Sequence, residues 1–439
     1  MVDLAFYKGK KVFITGHTGF KGSWLCKILV ELGAEVTGYS LKAESPSLFE
    51  KADIKSKITH IEGDIRNLET LKKAFESSKP EIVFHLAAQP LVLEAYNNPV
   101  YTYETNVIGT VNVLECIRNT NSVKSFVNIT TDKVYKNNEW EWGYREDDIL
   151  NGFDPYSNSK SCSELVTSSY INSFFADKEV RISTVRAGNV IGGGDFSENR
   201  IIPDCIRAAE KKEDIIVRNP YSVRPFQHVL EPLFAYLMVA EKQYKDKKYC
   251  GSYNIGPKDA DCITTGELAT IFCNKWGNGL KWNTKSNVNA PHEANFLKLD
   301  CSKMKKTFNW QPQWNIETAV EKTVEFAKQK ENVAETMKKQ IENYIGKEIS
   351  VNNEVSEKSK NIFIKTPIIQ FGQVLEPILD NFSSGKQYQE ENYYGGFNVE
   401  PAYSTCENGL NLDDKKANID IRLSAESNNN IKNGGSQNV

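Results

Sequence analysis

The chain has 439 residues, 40% hydrophobic and 25% charged, which is the balance of an ordinary globular protein long enough for two domains. Its formal net charge of −3 argues against a nucleic-acid backbone or an acidic membrane as a partner. Any phosphate-bearing ligand must therefore be bound by a few positively charged side chains close to it rather than by the overall charge of the protein. The nine cysteines include no C-x-x-C, and the five histidines form no zinc-binding pattern. No signal-peptide core follows the first residues, so we expect a reduced, cytoplasmic protein without a metal.

The first elements predict a nucleotide-binding unit. Residues 11–15 are a short apolar run typical of a buried strand, and a glycine-rich loop follows at once. An amphipathic helix is predicted over residues 23–32, closed by Gly33, and a second strand over residues 35–39.

Strand and helix signals continue to alternate after this unit. Further strands are predicted at 58–62, 81–86, 125–130 and 181–186, and helices at 68–77 and 105–119. Alternation of this kind, with nearly continuous apolar strands, predicts an α/β fold: a doubly wound parallel sheet of the Rossmann type with helices on both faces.

The pattern changes after residue 187, where loops and shorter mixed elements begin. We predict a dinucleotide-binding domain at 1–187, with a return near 226–256, and a smaller mixed α/β substrate-binding domain at 188–225 and 257–346. A charged helix over about 316–345 is expected to close the folded part. The C-terminal extension at 347–439 is predicted to be partly disordered, with an apolar patch at 361–382.

The glycine-rich loop is the first candidate binding site. Gly16, Gly19 and Gly22 form G-x-x-G-x-x-G between a strand and a helix, with Thr18 and Phe20 inside the same loop. Without side chains there, the backbone can approach a pyrophosphate, and the helix N-terminus offers N–H groups and a positive dipole. This context favours a dinucleotide site over a simple tight turn.

Two nearby positions leave the type of dinucleotide and its contacts open. The second strand ends in Tyr39-Ser40-Leu41-Lys42, without the usual acid that binds the ribose, so the residues alone do not separate NAD from NADP. Asp64 and Ile65, after the third strand, are compatible with a clasp on the adenine or with a simple helix N-cap.

Tyr156 and Lys160 are the central catalytic candidates. Four residues apart on a helix, they share one face, so we expect the ammonium to lie beside the phenol and to favour its ionised form. Tyr156 would then act as a base near neutral pH. Thr131, at the end of a predicted strand, is placed to hold the same substrate oxygen.

On these motifs the chain resembles the extended short-chain dehydrogenase/reductase family over about residues 9–345. The resemblance is strongest to members that modify sugar nucleotides, and it implies a tightly held NAD. It also implies cofactor contacts at Ala87 and Ala88, and positions near the nicotinamide for Gln89 and Asn106. Its remaining motif, Arg186-x-x-Asn189-Val190-x-Gly192, places Asn189 near the phosphates or sugar of the substrate.

The residues after Thr131 resemble those of one branch of the family, the 4,6-dehydratases that use CDP-glucose. Asp132-Lys133 stands where the dTDP-glucose branch has Asp-Glu. The resemblance implies oxidation at sugar carbon 4, loss of water across carbons 5 and 6, and return of the hydride to carbon 6. Asp132 would be the acid, with its pKa raised by burial, and Lys133 either the carbon 5 base or a fixed cation.

The substrate diphosphate needs cations, and Arg200, Arg218 and Arg224 all fall where the second domain begins. Gln89 and Asn189 complete the expected substrate contacts. His228 is expected to be a packed residue instead.

Two other functions stay open at this point: an epimerase or reductase of the same family, and a cofactor-binding protein that has lost catalysis. Asp132-Lys133 argues against the first, and the intact Thr131, Tyr156 and Lys160 against the second. We expect a nucleotide sugar as the partner molecule, a homodimer or homotetramer, and neither nucleic acid nor membrane.

Overall fold

The structure, a computed structural model, describes residues 2–284 and 295–347. The predicted extension beyond residue 347, with its apolar patch at 361–382, lies outside the described residues.

A seven-stranded parallel sheet forms the centre of the fold, which confirms the predicted doubly wound arrangement. Numbered along the chain, its strands are β1 (Lys11–Thr15), β2 (Glu35–Ser40), β3 (Thr59–Glu62), β4 (Ile82–His85), β5 (Ser125–Thr131), β6 (Arg181–Ala187) and β11 (Ser252–Ile255). Their order across the sheet is β11-β6-β5-β4-β1-β2-β3. Six shorter strands pair two by two outside it: β7 (Val190–Ile191) with β10 (Gln227–His228), β8 (Ile215–Val217) with β13 (Trp282–Thr284), and β9 (Val223–Arg224) with β12 (Ile263–Thr264).

Thirteen α-helices lie in the described residues. They are α1 (Phe20–Glu31), α2 (Leu48–Lys51), α3 (Leu68–Ser78), α4 (Val92–Asn97), α5 (Pro99–Tyr103), α6 (Gly109–Arg118), α7 (Pro155–Phe174), α8 (Ile201–Lys211), α9 (Leu230–Lys245), α10 (Thr265–Trp276), α11 (Ser302–Phe308), α12 (Ile316–Lys328) and α13 (Val333–Ile345). A π-helical turn, Glu104–Ile108, joins α5 to α6.

Side-chain capping explains where several helices begin. Asp154 accepts a hydrogen bond from the Ser157 N–H at the start of α7, and Pro155 occupies the first helical position. At α10, Thr264 and Glu267 form a reciprocal capping box. Asp154 and Pro155 thus set the start of α7, which carries the catalytic candidates.

The two faces of the sheet are covered by separate clusters of buried apolar side chains. Successive residues of β1 alternate between them: Val12 and Ile14 belong to one cluster and Phe13 to the other. A third cluster is built only from residues between Ile191 and Val324, outside the main sheet. A separate apolar core of this kind is what a second, smaller domain requires. The boundary at residue 187 between the dinucleotide-binding and substrate-binding domains stays a prediction.

The predicted closing helix over 316–345 is wrong in one respect, because the structure has two helices, α12 and α13. The chain leaves α12 at Gln329, and Asn332 takes a left-handed conformation with φ of 54° before α13 begins. Helical periodicity on both sides of the break concealed it. In the described part of the chain, no helix is both long enough and apolar enough to cross a membrane.

Candidate active site

A cleft of about 1570 Å³ lies where the loops that follow the sheet strands meet the segments 194–204 and 216–226. Ligands of open parallel sheets bind at this carboxyl edge. The loops after β1, β4, β5 and β6 all line the cleft, and so does the start of α7. The cleft therefore joins the predicted cofactor loop and the predicted catalytic residues in one cavity.

The three glycines of the cofactor loop have different physical roles. Gly16 has a φ of +75°, and a Cβ there would lie 2.6 Å from the Ala87 nitrogen. A Cβ on Gly22 would lie 2.2 Å from the Gly16 carbonyl oxygen, so the first turn of α1 fits only without it. A Cβ on Gly19 would meet no such clash among the described residues, and the missing side chain leaves the N-terminus of α1 open to the cleft.

At the end of β2, where an acidic residue that binds the ribose is usual, the structure has hydroxyl groups instead. The Thr18 and Ser40 hydroxyls are 2.8 Å apart, and Thr18 also donates to the Leu41 carbonyl. Ser40, Leu41 and Lys42 line the cleft. Tyr39 points elsewhere, because its ring is buried and its hydroxyl bonds to Thr70.

Asp64 and Ile65 both line the cleft, and the N-cap alternative for Asp64 is wrong. Asn67 caps α3 by accepting from the Thr70 N–H. Arg66 binds the Asp64 carboxylate through its backbone and guanidinium, and although partial burial acts to raise the pKa of Asp64, these bonds lower it. Asp64 is thus ionised and fixed at the cleft edge.

The loop after β4 lines the cleft with Ala87 and Ala88, whereas the expected partners Gln89 and Asn106 brace it from behind. The Gln89 amide bonds to the Leu91 backbone and to Thr102. Asn106, on the π-helical turn, accepts from the Gln89 N–H and donates to the Ser159 hydroxyl of α7. Their side chains therefore hold the loop against α7 and do not line the cavity.

Asp132 is buried at the end of β5, next to Thr131. The Thr131 hydroxyl donates to Asp132 Oδ1 at 2.9 Å, and Oδ2 has no hydrogen-bond partner among the described residues. Burial raises the pKa of Asp132, and the nearby cations Lys133, Arg224 and Lys21 only reduce this effect. This is the environment that a carboxylic acid needs to stay protonated.

Lys133 is half-buried and lines the same cleft. Its backbone N–H donates to the Thr131 hydroxyl at 3.4 Å, which closes a 3-10 turn over residues 132–134. Its side chain makes no hydrogen bond or ion pair with the described residues. Both proposed roles, base and fixed cation, stay compatible with this position.

Tyr156 lies in the first turn of α7, and Lys160 follows one turn later. Burial raises the pKa of Tyr156 to about 12, while a hydrogen bond with Thr131 and the charge of Arg200 act to lower it. Lys160 Nζ donates to the Ile129 carbonyl at 2.9 Å instead of to the phenol. The predicted grouping is present, but the main influences that favour phenolate come from Thr131 and Arg200.

The three arginines occupy one wall of the cleft with Asn189. Arg224 is 1% exposed and donates to the Val223 carbonyl. Arg200 pairs with Asp195 at 3.2 Å, and Arg218 is the most exposed of the three and bonds to Asn199. All three arginines line the cavity, which is compatible with a diphosphate site.

Arg186, part of the motif that led to Asn189, has a structural role. It forms a buried ion pair with Glu164 of α7 and donates to the Tyr135 hydroxyl and the Glu146 carbonyl. His228 is fully buried and packs its ring against Trp24 and Trp314, which confirms the expectation of a packed residue.

The structure also brings residues to the site that the sequence analysis missed. Lys21, inside the glycine motif, lines the cleft and interacts electrostatically with Asp132. Asp195 forms an ion pair with Arg200. Gly188 leaves room for the Asp132 carboxyl group, because a Cβ at residue 188 would lie 3.1 Å from Asp132 Oδ2. The signal in the sequence was the position of Lys21 between Gly19 and Gly22 of the glycine motif.

Comparison with known proteins agrees with this geometry. A profile of the family described as GDP-mannose 4,6 dehydratase matches residues 13–323. A CDP-glucose 4,6-dehydratase of Salmonella typhimurium is 48% identical over 335 residues, which cover 75% of this chain and 93% of that protein. A CDP-paratose 2-epimerase of Salmonella typhi is 26% identical over 71% of this chain and 97% of its own length.

Two solved structures share the fold. A dTDP-glucose 4,6-dehydratase from Bacillus anthracis in complex with NAD has a TM-score of 0.64 and 21% identity, covering 75% of this chain and 100% of that one. A UDP-glucose 4-epimerase from Thermotoga maritima with UDP-glucose has a TM-score of 0.64 and 22% identity, covering 72% and 98%. The family match spans most of the described residues, and with the 48% identical relative it confirms the predicted resemblance. The chain belongs to the GDP-mannose 4,6 dehydratase family of sugar-nucleotide dehydratases and epimerases, within the extended short-chain dehydrogenases/reductases.

Proposed function

We propose that this protein is an NAD-dependent CDP-glucose 4,6-dehydratase. The observation that carries the proposal is the sequence Thr131-Asp132-Lys133 at the end of β5, in the same cleft as Tyr156. An epimerase needs no acid to expel water, whereas a dehydratase does. The 48% identity to a CDP-glucose 4,6-dehydratase, over nearly all of that relative, supports CDP-glucose as the substrate.

The glycine loop fits a dinucleotide cofactor. Gly19 leaves open space at the N-terminus of α1, where backbone N–H groups and the helix dipole favour a pyrophosphate. Ser40 and Thr18 offer hydroxyl groups near the expected ribose position. NAD bound here would accept the carbon 4 hydride and later supply it to carbon 6.

Tyr156 removes the proton of the carbon 4 hydroxyl in the oxidation step. At neutral pH its phenol must first lose its own proton, which the pKa of about 12 opposes. Thr131, Arg200 and the positive end of α7 all favour the phenolate. Lys160 lies one turn away, where its ammonium is held by the Ile129 carbonyl.

Asp132 and Lys133 serve the loss of water. Removal of the carbon 5 proton by a base forms the carbon 5–carbon 6 double bond as the carbon 6–oxygen bond breaks. Asp132 gives its proton to the departing oxygen, so that water leaves and Asp132 becomes a carboxylate. The raised pKa of Asp132 keeps that proton available, and Lys133 is the adjacent candidate base.

Arg200, Arg218 and Arg224 bind the substrate diphosphate in this proposal. Their guanidinium groups share one wall of the cleft with Asn189, and Asp195 orients Arg200. Gln89 and Asn106 act indirectly, because their hydrogen bonds hold the loop after β4 against α7.

Incubation of the purified protein with CDP-glucose and NAD tests the function. We expect a 4-keto-6-deoxy product without accumulation of NADH, because the cofactor ends the cycle oxidised. UDP-, dTDP- and GDP-glucose in parallel test the base preference. Formation of only the carbon 4 epimer, or one NADH per substrate, would contradict the dehydratase assignment.

The assembly and location of the protein belong to the same proposal. We propose a homodimer or homotetramer, supported by the exposed apolar side chains of Val100, Ile108 and Leu165 on neighbouring helical segments. A cytoplasmic location is supported by the eight cysteines in the described residues, all of which are free thiols.

A further inference from the structure

His17 is a fully buried polar residue of the glycine-rich loop, and the reaction described above does not use it. Its neighbours Gly16 and Thr18 both line the cleft. The His17 Nε2 atom lies 2.7 Å from Nδ1 of His60, a residue of β3 whose side chain is only 6% exposed. A buried hydrogen bond therefore ties the loop that faces the cleft to a strand two positions away in the sheet.

The strand between them, β2, leaves room for the His17 ring. Gly38 of β2 lies opposite His60 in the sheet register, and a Cβ at residue 38 would lie 2.3 Å from His17 Cγ. The ring of Phe49 from α2 packs against both imidazoles, with ring centroids 5.2 and 5.1 Å away. The missing side chain at residue 38 is thus a condition for the hydrogen bond between the two histidines.

The backbone of His17 packs against the start of α1. A Cβ on Gly22 would lie 2.6 Å from His17 Cα, and the Ser23 hydroxyl donates to the His17 carbonyl at 3.4 Å. A shift of His17 would therefore displace the loop backbone beside the N-terminus of α1, where the pyrophosphate is expected.

We propose that His17 is a positioning residue for the dinucleotide cofactor, and that its hydrogen bond with His60 preorganises the glycine-rich loop for the pyrophosphate. This inference rests on the cofactor site of the proposed function. A loop that is ordered in only a fraction of the free molecules binds its ligand more weakly in proportion to that fraction. Loss of the hydrogen bond should therefore raise the Kd for NAD, although His17 itself acts only through the loop backbone.

The surroundings keep both imidazoles neutral. Burial lowers the pKa of His17 to about 3, with the nearby His60 acting in the same direction and a hydrogen bond with the Tyr39 backbone acting against it. Burial also lowers the pKa of His60, while Glu62 acts to raise it and Lys55 to lower it. In a neutral pair one ring donates the hydrogen bond and the other accepts it, so an amide side chain can replace either ring.

The affinity of the full-length protein for NAD tests this role, measured by calorimetry after removal of bound nucleotide. His17→Ala should raise the Kd for NAD by about 3- to 10-fold, the worth of one hydrogen bond, and should leave kcat at saturating NAD within about two-fold of wild type. His60→Leu breaks the same bond, so the double variant should bind NAD no more weakly than the weaker single variant. His17→Gln keeps a polar group near the Nε2 position and should restore most of the affinity.

Gly38→Ala is an independent route to the same effect. The added methyl group would displace the His17 ring from His60, so the Kd for NAD should again rise. In the presence of His17→Ala the methyl group has space, and the second substitution should add no further loss of affinity. A Gly38→Ala protein that binds NAD as tightly as wild type would contradict the proposal.

Tyr7→Phe is the matched control for a general loss of stability. It removes a buried hydrogen bond of 2.7 Å, from the Tyr7 hydroxyl to the Leu237 carbonyl, between two residues that are not among those lining the cleft. The free energy of unfolding should fall and the Kd for NAD should not change. Equal losses of affinity in Tyr7→Phe and His17→Ala would assign the effect to general destabilisation and reject the role of His17.

The remaining outcomes are also distinguishable. Additive increases of the Kd in His17→Ala and His60→Leu would overturn the proposal, and so would an unchanged Kd in either variant. If His17→Ala does not fold, His60→Leu gives the same measurement by itself. A wild-type protein that binds no NAD refutes the proposed function, whereas a wild type that binds NAD, with an unchanged Kd in His60→Leu, refutes only the role of His17.

Discussion

At the scale of single residues, two neighbours at the end of β5 are placed for different tasks. Asp132 is 1% exposed and its pKa is raised by burial, whereas the Lys133 side chain is half-buried in the cleft. Tyr156, which forms a hydrogen bond with Thr131, has a phenol whose pKa is raised to about 12 by burial. In the proposed mechanism, these differences in environment assign Tyr156 to the oxidation and Asp132 to the water loss.

Tyr156→Phe and Asp132→Asn should interrupt the cycle at different points. Tyr156→Phe removes the base for the carbon 4 hydroxyl and should slow NADH formation by about 10²- to 10⁴-fold. Asp132→Asn should still form bound NADH but stall its decay, since the amide cannot supply the proton. Single-turnover absorbance reads both steps, and equal loss of the NADH signal in the two variants would contradict this division.

Substitution of Lys133 decides between its two possible roles. If Lys133 is the base, Lys133→Met should abolish exchange of the carbon 5 hydrogen with solvent deuterium and leave the first hydride step intact. Lys133→Arg keeps the cation but cannot act as a base, so it should fail in the same way. Exchange at nearly the wild-type rate in Lys133→Arg would instead assign a fixed cation and move the base elsewhere.

At the scale of elements, one buried carboxyl group joins α9 to the end of the described chain. Glu231 of α9 accepts the N–H groups of Gln313 and Trp314 at 2.9 and 2.7 Å. It also accepts the Tyr344 hydroxyl of α13 at 2.8 Å. Burial raises the pKa of Glu231 to about 7, despite these hydrogen bonds.

This pKa predicts a pH-dependent stability. The pKa of Glu231 is higher in the folded state than in the unfolded state, so protonation of this group stabilises the fold. Its contribution to the free energy of unfolding is complete below the unfolded-state pKa and is lost as the pH rises through about 7. Between about pH 5 and about pH 8 the free energy of unfolding should fall by about 2–3 kcal/mol from this group.

Glu231→Gln should remove this slope, because the amide oxygen still accepts hydrogen bonds but does not titrate. Urea unfolding at several pH values measures the effect. Glu317→Gln, at an exposed position of α12, is the matched control and should keep the wild-type slope. A Glu231→Gln protein with the full wild-type slope would show that another group causes it.

At the scale of the whole molecule, the described residues include the seven-stranded sheet, the residues that line the cleft and the third apolar cluster. The CDP-glucose 4,6-dehydratase of Salmonella typhimurium is matched over 93% of its length by 75% of this chain. Three quarters of this chain therefore correspond to nearly the whole length of that relative.

Truncation after Gly346 should keep the dehydratase rate within a few-fold. The cut leaves α13 and the Tyr344–Glu231 hydrogen bond intact, so the folded part keeps its last contact with α9. Product formation and the oligomeric state of the truncated protein are the measurements. A folded, soluble truncation without activity would place the extension in the active site or in a required subunit contact.

Local sequence determined the glycine-rich loop, six of the seven sheet strands and the candidate catalytic residues. The Gly16, Gly19 and Gly22 spacing, the apolar runs of the strands and the Tyr156–Lys160 interval are short-range patterns, and short-range sterics and helix geometry produce them directly. The Asp132-Lys133 pair was also visible in the sequence, as was the resemblance that implied its chemistry.

Tertiary structure alone decided which of these groups influence one another. β11 joins the edge of the sheet by pairing with β6, from which it is separated by more than sixty residues, so no local pattern marks it as the seventh strand. The hydrogen bonds of the Gln89 and Asn106 side chains, which hold the loop after β4 against α5 and α7, also depend on contacts between residues that are separated in the sequence. Burial sets the pKa values of Asp132 and Tyr156, and burial is a property of packing in three dimensions rather than of the neighbouring residues in the sequence.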